Sequence, residues 1–190
     1  MLAGPEGEQA ARFFAGLSDT AHFPLSASFS GVAYPPGRDP VPFVAGVKAQ
    51  TPSAETVGLY DPFGRGVIYL DNDGRRLQAL PGPEAGLVGF RGAPMLPAGG
   101  ISLARILSGA PGYLVAGGEA ARDRDGGWSL SDDRQTLYSD PGRTFLAKAE
   151  YRFPGLRVTV EYPGRVSQGP PGRILLAARW AKITLRRDLE

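Results

Sequence analysis

The sequence predicts a mainly β (α+β) fold: an open, half-closed antiparallel β-barrel with an N-terminal helix and short helices over an apolar cavity. Three observations lead to this prediction. Short runs with alternating apolar and polar residues are typical of half-buried strands. The 27 glycines and 18 prolines are spread along the 190 residues and punctuate many short elements. Only two segments have helical periodicity, so few helices are available to cover the apolar face of a sheet.

The first element is a predicted helix. In residues 7–17 (GEQAARFFAGL), Ala10, Phe13, Phe14 and Leu17 recur at the spacing of one helix face. A helix with one apolar stripe needs an apolar surface to pack on. We therefore expect this helix to lie against the sheet.

Residues 25–80 predict a meander of about five antiparallel strands, because runs of alternating polarity are separated by turn residues at regular spacing. A tight Asp61-Pro62-Phe63-Gly64 turn joins the third run to the fourth. Turn tips usually carry small polar residues, so a phenylalanine at this tip requires an explanation. The five runs are 25–33, 42–50, 55–60, 66–70 and 75–80.

The middle of the chain differs from the meander. Residues 81–100 are rich in glycine and proline, and one short strand is expected at Leu87–Phe90. The next segment, 101–109 (ISLARILSG), predicts a short helix with Ser102 as its N-cap and Gly109 as its stop.

The C-terminal third predicts strands again, five or six in number. Residues 123–128 (DRDGGW) form a predicted turn, and 145–153 and 156–162 alternate in polarity. Residues 173–187 supply one long strand or two short ones.

Length and composition limit the classes of protein to consider. At this length, residues 1–190 predict one domain, and an apolar fraction of 42% supplies a core. The net charge of +2 is too small to predict a nucleic-acid partner. The chain has no cysteine, which excludes disulfides, a thiol nucleophile and Cys-type zinc sites. No run of about 18 apolar residues predicts a membrane-spanning helix, and no signal peptide is visible.

Catalytic and metal-binding patterns are not found in the sequence. His22 is the only histidine, and we interpret it as part of the segment that links the helix to the first strand. The segments 71–74 (DNDG) and 123–126 (DRDG) hint at calcium loops but lack further ligands in place, so we interpret them as hairpin turns. We therefore predict no catalytic residue, no metal site and no cofactor. A β-rich protein with an apolar concavity instead favours binding of a hydrophobic ligand.

Five stretches, in order along the chain, carry a resemblance to a known family: GLYDPFGRGVIYL (58–70), DNDGRRLQAL (71–80), ISLARILSGAPG (101–112), LRVTVEY (156–162) and GPPGRILLAARWAKITLRR (169–187). Together they resemble the LolA/LolB-like group of periplasmic lipoprotein carriers and outer-membrane lipoprotein receptors, and LolB is the closer relative. In LolB an Asn-Pro-Leu-Gly turn occupies the place of Asp61-Pro62-Phe63-Gly64. The chain departs from LolB in lacking the N-terminal lipidated cysteine and several of the usual strand aromatics.

This resemblance implies a non-enzymatic protein with a helical lid over a cavity that takes the acyl chains of lipoproteins or lipids. It also implies that Phe63, at the tip of the turn, touches a membrane surface or an acyl chain. The implied location is the periplasm, with anchoring to the outer membrane in the native full-length form. The partners would be acyl chains, the inner surface of the outer membrane and a periplasmic carrier protein, with no nucleic acid.

Strand alternation and the predicted lid helix select the residues expected to line the cavity: Phe29, Phe43, Val47, Leu59, Ile68, Leu70, Ile106, Leu107, Val158, Val160 and Leu176. Two alternatives remain open. One is an envelope structural or interaction module whose barrel is filled by its own side chains and which binds a protein partner through its surface. The other is a hydrolase with a pair of carboxylates, for which no spacing in the sequence provides support.

Overall fold

A computed structural model describes residues 2, 4–88, 96–97, 99–154, 156–165, 170–178 and 181–188. The chain divides into two compact units. Unit 1 comprises residues 1–22 and 105–179, and unit 2 comprises residues 23–104 and 180–190. The single domain predicted over 1–190 stays a prediction. None of the helices in the described ranges has the length and apolar character needed to cross a membrane.

Unit 2 contains the predicted meander. Its strands are β1 (Leu25–Tyr34), β2 (Val41–Thr51), β3 (Ala54–Tyr60), β4 (Gly66–Asn72), β5 (Arg76–Pro81), the two-residue β6 (Leu96–Pro97) and β13 (Ala181–Arg187). They are hydrogen-bonded in the order β6-β5-β4-β3-β2-β1-β13, and the pairs are antiparallel. A single 3₁₀ turn lies at Ala85–Val88.

Unit 1 contains helix α1 (Pro5–Leu17), which continues into a 3₁₀ turn, Ser18–Thr20. Its strands are β7 (Glu119–Arg122), β8 (Trp128–Ser131), β9 (Gln135–Ser139), β10 (Leu146–Phe153), β11 (Leu156–Glu161) and β12 (Arg173–Ala178). They follow one another as β12-β11-β10-β9-β8-β7, again antiparallel. The short helix α2 (Leu103–Ser108) begins in unit 2 and ends in unit 1.

The described elements confirm most of the predicted ones: the N-terminal helix, the five-strand meander and the short helix after residue 100. The strand expected at Leu87–Phe90 is wrong for 87–88, which belong to the 3₁₀ turn, and the rest of it lies outside the described residues. Residues 173–187 form two strands. The C-terminal part has seven described strands where five or six were predicted, because β7, β8 and β9 are only four or five residues long, which is too short for a polarity pattern to identify a strand.

Helix α1 packs through the stripe seen in the sequence. Ala10, Phe14 and Leu17 are buried, and Phe13 is half-buried with its ring edge-on to Trp128 of β8, 5.7 Å between centroids. Burying an aromatic or leucine side chain contributes about 1.5–3 kcal/mol. The apolar stripe therefore fixes α1 against β7 and β8 within unit 1.

The start of α2 is held by a buried carboxylate from unit 2. Glu55 of β3 accepts hydrogen bonds from the backbone N–H of Leu103 (2.7 Å) and Ala104 (3.2 Å) and from the hydroxyl of Ser102. The amide nitrogen of Asn72 on β4 donates to Glu55 Oε2 (2.9 Å) and to the carbonyl of Ile101 (2.8 Å). Amide groups of a first helical turn have no partner within the helix, and an acidic group is favourable there.

The end of α2 is held within unit 1. Gly109 has φ +79°, and the N–H of Ala110 donates to the carbonyl of Arg105 (2.9 Å), as expected when glycine ends a helix. The buried guanidinium of Arg165 donates to the carbonyl of Gly109 (2.6 Å), and the hydroxyl of Tyr162 donates to that of Ile106 (2.8 Å). Burial lowers the pKa of Arg165. The stop predicted at Gly109 is therefore confirmed.

Replacing Glu55 by alanine should lower the free energy of unfolding by roughly 1–3 kcal/mol, because buried donors of α2 and Asn72 lose their acceptor. Chemical denaturation followed by circular dichroism measures this change. The exposed neighbour Thr56→Ala on the same strand is the control and should change stability by less than about 0.5 kcal/mol. Equal effects of the two substitutions would show that the carboxylate does not anchor the helix.

Candidate functional site

The β3–β4 turn presents a phenylalanine to solvent. The side chain of Phe63 is 84% exposed, the largest value among the large apolar side chains described as exposed. Turn residue Gly64 has φ +81° and its N–H donates to the carbonyl of Asp61 (2.9 Å). The ring therefore does not fold back onto the sheet to plug its apolar face.

A buried carboxylate braces the turn. Asp61 Oδ1 accepts hydrogen bonds from the N–H of Phe63 (2.9 Å) and of Arg65 (2.8 Å). Asp61 Oδ2 accepts a hydrogen bond from Nε of Arg65 and forms an ion pair with its Nη2, both at 2.7 Å, so two guanidinium nitrogens share one carboxylate oxygen in a charge-assisted contact. Nη1 of Arg65 contacts Glu84 Oε1 at 3.0 Å. The backbone on both sides of Phe63 is thereby fixed.

The same contacts set the ionisation of the turn. Burial alone would raise the pKa of Asp61, but the hydrogen bonds from Arg65 and from the Phe63 backbone outweigh burial and hold the pKa below its ordinary value of 3.8. The Arg65 guanidinium also lies 5.6 Å from the centroid of the Phe63 ring. Asp61 is thus a carboxylate at neutral pH, and the tip combines an apolar ring with a fixed cation.

Two tyrosines lie at the base of the same hairpin. The rings of Tyr60 and Tyr69 meet edge to face, 6.0 Å between centroids. A Cβ at Gly58 would collide with the Tyr60 ring, and one at Gly66 would lie 2.6 Å from Cζ of Tyr69. The two glycines therefore give the tyrosine rings room to cover the outer face of the hairpin.

Six of the predicted cavity residues lie in unit 2, and strand register places them on one sheet face. Residues directly opposite in an antiparallel pair face the same side. Ala45 pairs with Phe29 and Leu59, and Leu59 pairs with Ile68. These paired residues form one row across the strands. In the neighbouring rows on the same face, Val57 pairs with Val47 and Leu70, and Phe43 pairs with Gly31. The structure buries Phe29, Phe43 and Val47 and leaves Leu59, Ile68 and Leu70 half-buried.

The other five predicted cavity residues lie in unit 1. Val160 pairs with Leu176 across β11 and β12, and Val158 lies two residues before Val160, on the same face. Ile106 and Leu107 lie on α2. Val160, Ile106 and Leu107 are buried, whereas Val158 and Leu176 are half-buried. That any of the eleven residues contacts a ligand stays a prediction.

The residues considered for metals have other contacts in the structure. Oδ1 of Asp73 accepts hydrogen bonds from the N–H of Arg75 and Arg76, and Oδ1 of Asp123 accepts one from the N–H of Arg124. These carboxylates shape the hairpin turns that the sequence predicted. His22 lies exposed between the first 3₁₀ turn and β1.

Sequence reasoning identified Phe63 but missed the brace beneath it. An aspartate at the first position of a turn commonly accepts backbone N–H groups two residues later, so the Asp61-Pro62 pair was an available signal. The contact from the Arg65 guanidinium has no such signal, because many arginines in the chain lie next to turns.

Replacing Asp61 by asparagine should lower the free energy of unfolding at neutral pH, because the charge-assisted bonds to Arg65 are lost. The pKa of Asp61 is depressed in the folded state, so its contribution is present above the ordinary value of 3.8 and is lost as pH falls through the lower folded-state pKa. Denaturation of the wild-type and Asp61→Asn proteins at several pH values measures this. The difference between their free energies of unfolding should become smaller as the pH falls into that acidic range. Asp125→Asn, at an exposed turn, serves as the control; a pH-independent difference for Asp61→Asn would refute the prediction.

Comparison with known proteins shows a shared fold. A scan against protein-family models found no match, and a search of curated protein sequences found none either. Among solved structures, a LolA superfamily protein from Nitrosomonas europaea is similar with a TM-score of 0.55 and 14% identity, covering 94% of this chain and 91% of that one. An outer membrane lipoprotein-sorting protein domain from Vibrio parahaemolyticus is similar with a TM-score of 0.51 and 7% identity, covering 96% and 91%.

At these identities the likeness shows the fold alone. The predicted fold class, a mainly β chain with the open antiparallel LolA-like β-barrel fold and an N-terminal helix, is confirmed.

Proposed function

We propose that this protein binds lipid or the acyl chains of lipoproteins, without catalysis, and serves lipoprotein localisation or lipid transfer in the cell envelope. The observation that carries the proposal is the exposed Phe63 on its braced turn. The LolA-superfamily fold of the similar structures supports it.

An exposed aromatic ring on a rigid turn is suited to brief contact with an apolar surface. The hydrogen bonds to Asp61 order the backbone before any contact is made, so binding costs less conformational entropy. Burying the Phe63 ring in lipid would contribute about 1.5–3 kcal/mol, enough for a weak and reversible encounter. A rigid apolar tip therefore favours a membrane surface or an acyl chain as its target.

The inner sheet face of unit 2 supplies the proposed acyl-chain contacts. Leu59, Ile68 and Leu70 lie in adjacent rows on one face and are half-buried, so part of their apolar surface is accessible. Apolar side chains with few polar groups are typical of sites for hydrophobic ligands. We propose these three as the main ligand contacts, with the other predicted cavity residues around them.

The proposal includes a location and partners. A lipoprotein-sorting role places the protein in the periplasm, anchored to the outer membrane in its native form. Its partners would be acyl chains, the inner surface of the outer membrane and a carrier that delivers the cargo. Among the forms that this function could take, a LolB-like receptor role best accounts for the apolar side chain of Phe63 at the tip of the turn.

A second candidate is an envelope interaction module with a filled interior. The burial of Val160, Ile106 and Leu107 in unit 1 favours it, because these predicted cavity residues are already covered by the protein itself. A closely packed interior has no space for an alkyl chain. Such a module would bind a protein through its outer surface.

Lipid binding is tested by organic extraction of the purified protein followed by mass spectrometry, and by titration with a fluorescent fatty acid. We expect a co-purified acyl lipid or saturable probe binding. Leu70→Trp should weaken probe binding because it fills space on the inner face, whereas Val44→Trp on the opposite face of the sheet should not. A protein that carries no lipid and ignores the probe would favour the filled module.

Contact with membranes is tested separately by Phe63→Glu. A buried carboxylate is unfavourable in lipid, so sedimentation with liposomes should weaken roughly 10- to 100-fold while the unfolding transition stays unchanged. Phe63→Leu should retain most of the binding. Leu114→Glu, at another exposed apolar side chain (60% exposed), is the matched control. Unchanged sedimentation of Phe63→Glu would remove the membrane role of this turn.

A further inference from the structure

A groove in unit 1 lies beside the exposed side of α1. It has a volume of about 530 Å³ and is lined by Gln9, Arg12, Phe13, Trp128, Gly142 and Arg143. Gln9, Arg12 and Phe13 are three and four residues apart and so share one side of the helix. The groove thus combines two guanidinium groups and one amide with aromatic side chains, and none of these residues takes part in the function proposed above.

Arg143 adopts a backbone conformation that arginine rarely takes. Its φ is +58°, and it is the one non-glycine residue with positive φ in the described part of the chain. This conformation costs an ordinary residue roughly 1 kcal/mol, and glycine would adopt it freely. The turn around it is fixed by Asp140, whose carbonyl accepts the Arg143 N–H (2.9 Å) and whose carboxylate accepts the N–H of Thr144 and Phe145. The turn alone would favour glycine at position 143, so it does not explain why a large cation is found there.

The side chain of Arg143 is held in place but only partly satisfied. Its guanidinium lies 4.6 Å from the centroid of the Trp128 ring, and Nη2 donates to the carbonyl of Gly126 (3.2 Å). Its Nε is shielded from solvent and has no hydrogen-bond partner among the described residues. Shielded donors are nearly always paired in proteins, so the contacts within the described residues leave this side chain incompletely satisfied.

Two carboxylates lie near the groove, those of Glu6 and Asp140, and both are engaged by other groups; Asp140 accepts the N–H of Thr144 and Phe145. Arg122 forms an ion pair with Glu6 (2.7 Å), and the indole N–H of Trp128 also donates to Glu6 (3.4 Å). That carboxylate is therefore already engaged.

Arg12 is exposed and makes no ion pair with the described residues, and the one hydrogen bond described for the Arg143 side chain is to a carbonyl. The hydrogen bond from Arg122 is the main cause that lowers the pKa of Glu6; Arg143 is near enough to help lower it, but it forms no direct ion pair with that carboxylate. Arg12 and Arg143 therefore both have guanidinium N–H groups that could bind an anion.

We propose that this groove binds a phosphate-type oxyanion through Arg12, Arg143 and Gln9, with the apolar part of the ligand lying on Phe13. A phosphate monoester carries about 1.5–2 negative charges at neutral pH and three acceptor oxygens, which match two arginines and an amide. The phosphate can belong to a free phosphate monoester or to a lipid whose headgroup is itself a phosphate monoester, such as phosphatidic acid. The proposal is independent of acyl-chain binding and of Phe63.

The test is a titration of the ¹⁵N-labelled full chain with inorganic phosphate at constant ionic strength. We expect a saturable shift of the Trp128 indole N–H resonance. Arg12→Ala and Arg143→Gly should each weaken binding about ten-fold or more, since each removes a charge-assisted contact. Glycine accepts the positive φ at position 143, so Arg143→Gly keeps the turn. Arg157→Ala, an exposed arginine of β11 outside the groove, is the matched control.

Sedimentation with phosphatidylcholine vesicles that contain or lack phosphatidic acid distinguishes the two sources of phosphate, with Arg157→Ala again as the control for general loss of positive charge. If Arg143→Gly reduces sedimentation with the anionic vesicles, the ligand is a lipid headgroup; if sedimentation is unchanged while phosphate still shifts the wild type, it is a free phosphate ester. Either result supports the site. The proposal is overturned if phosphate produces no saturable shift, or if the shift in Arg12→Ala and Arg143→Gly equals that of the wild type. This conclusion does not depend on the behaviour of Phe63→Glu.

Discussion

The buried carboxylate of Glu55 organises the middle of the chain. It lies on a strand of the meander, yet it accepts the first amide groups of α2 and the side-chain amide of Asn72. A six-residue helix is too short to be stable by its own hydrogen bonds, so its position depends on outside partners. In unit 2, this one side chain therefore links the sheet to the start of the helix that carries two predicted cavity residues.

The fold was largely predictable from the sequence because its main signals are local. Alternation identified β1, β2, β10 and β11, and turn residues marked the limits of β3 to β5. The helical stripe of α1 was visible in Ala10, Phe14 and Leu17. Glycine at 109 gave the end of α2. The short strands β7 to β9 were harder to predict, because four or five residues, as in Glu119–Arg122, are too few to establish a repeating polarity pattern.

The candidate sites were predictable only in part, since their geometry depends on distant residues. Phe63 could be singled out because an aromatic residue at a turn tip is unusual. The acceptor role of Glu55 joins residues 48 apart in the chain, and nothing near position 55 indicates it. The groove around Arg143 is equally non-local: Gln9 and Arg12 come from the first helix, and the turn of Arg143 comes more than 130 residues later.

The packing of Tyr60 and Tyr69 over Gly58 and Gly66 has a consequence for the evolution of the hairpin. Each ring occupies the volume that a side chain at the glycine would need, so a larger residue at the glycine requires the tyrosine ring to move or to be replaced by a smaller side chain. Such coupled positions tolerate fewer independent substitutions than the exposed strand residues around them. The first of the similar structures shares only about one identical residue in seven with this chain. At such divergence, the spacing of the glycine–tyrosine pairs is a pattern by which distant relatives of this hairpin could be sought.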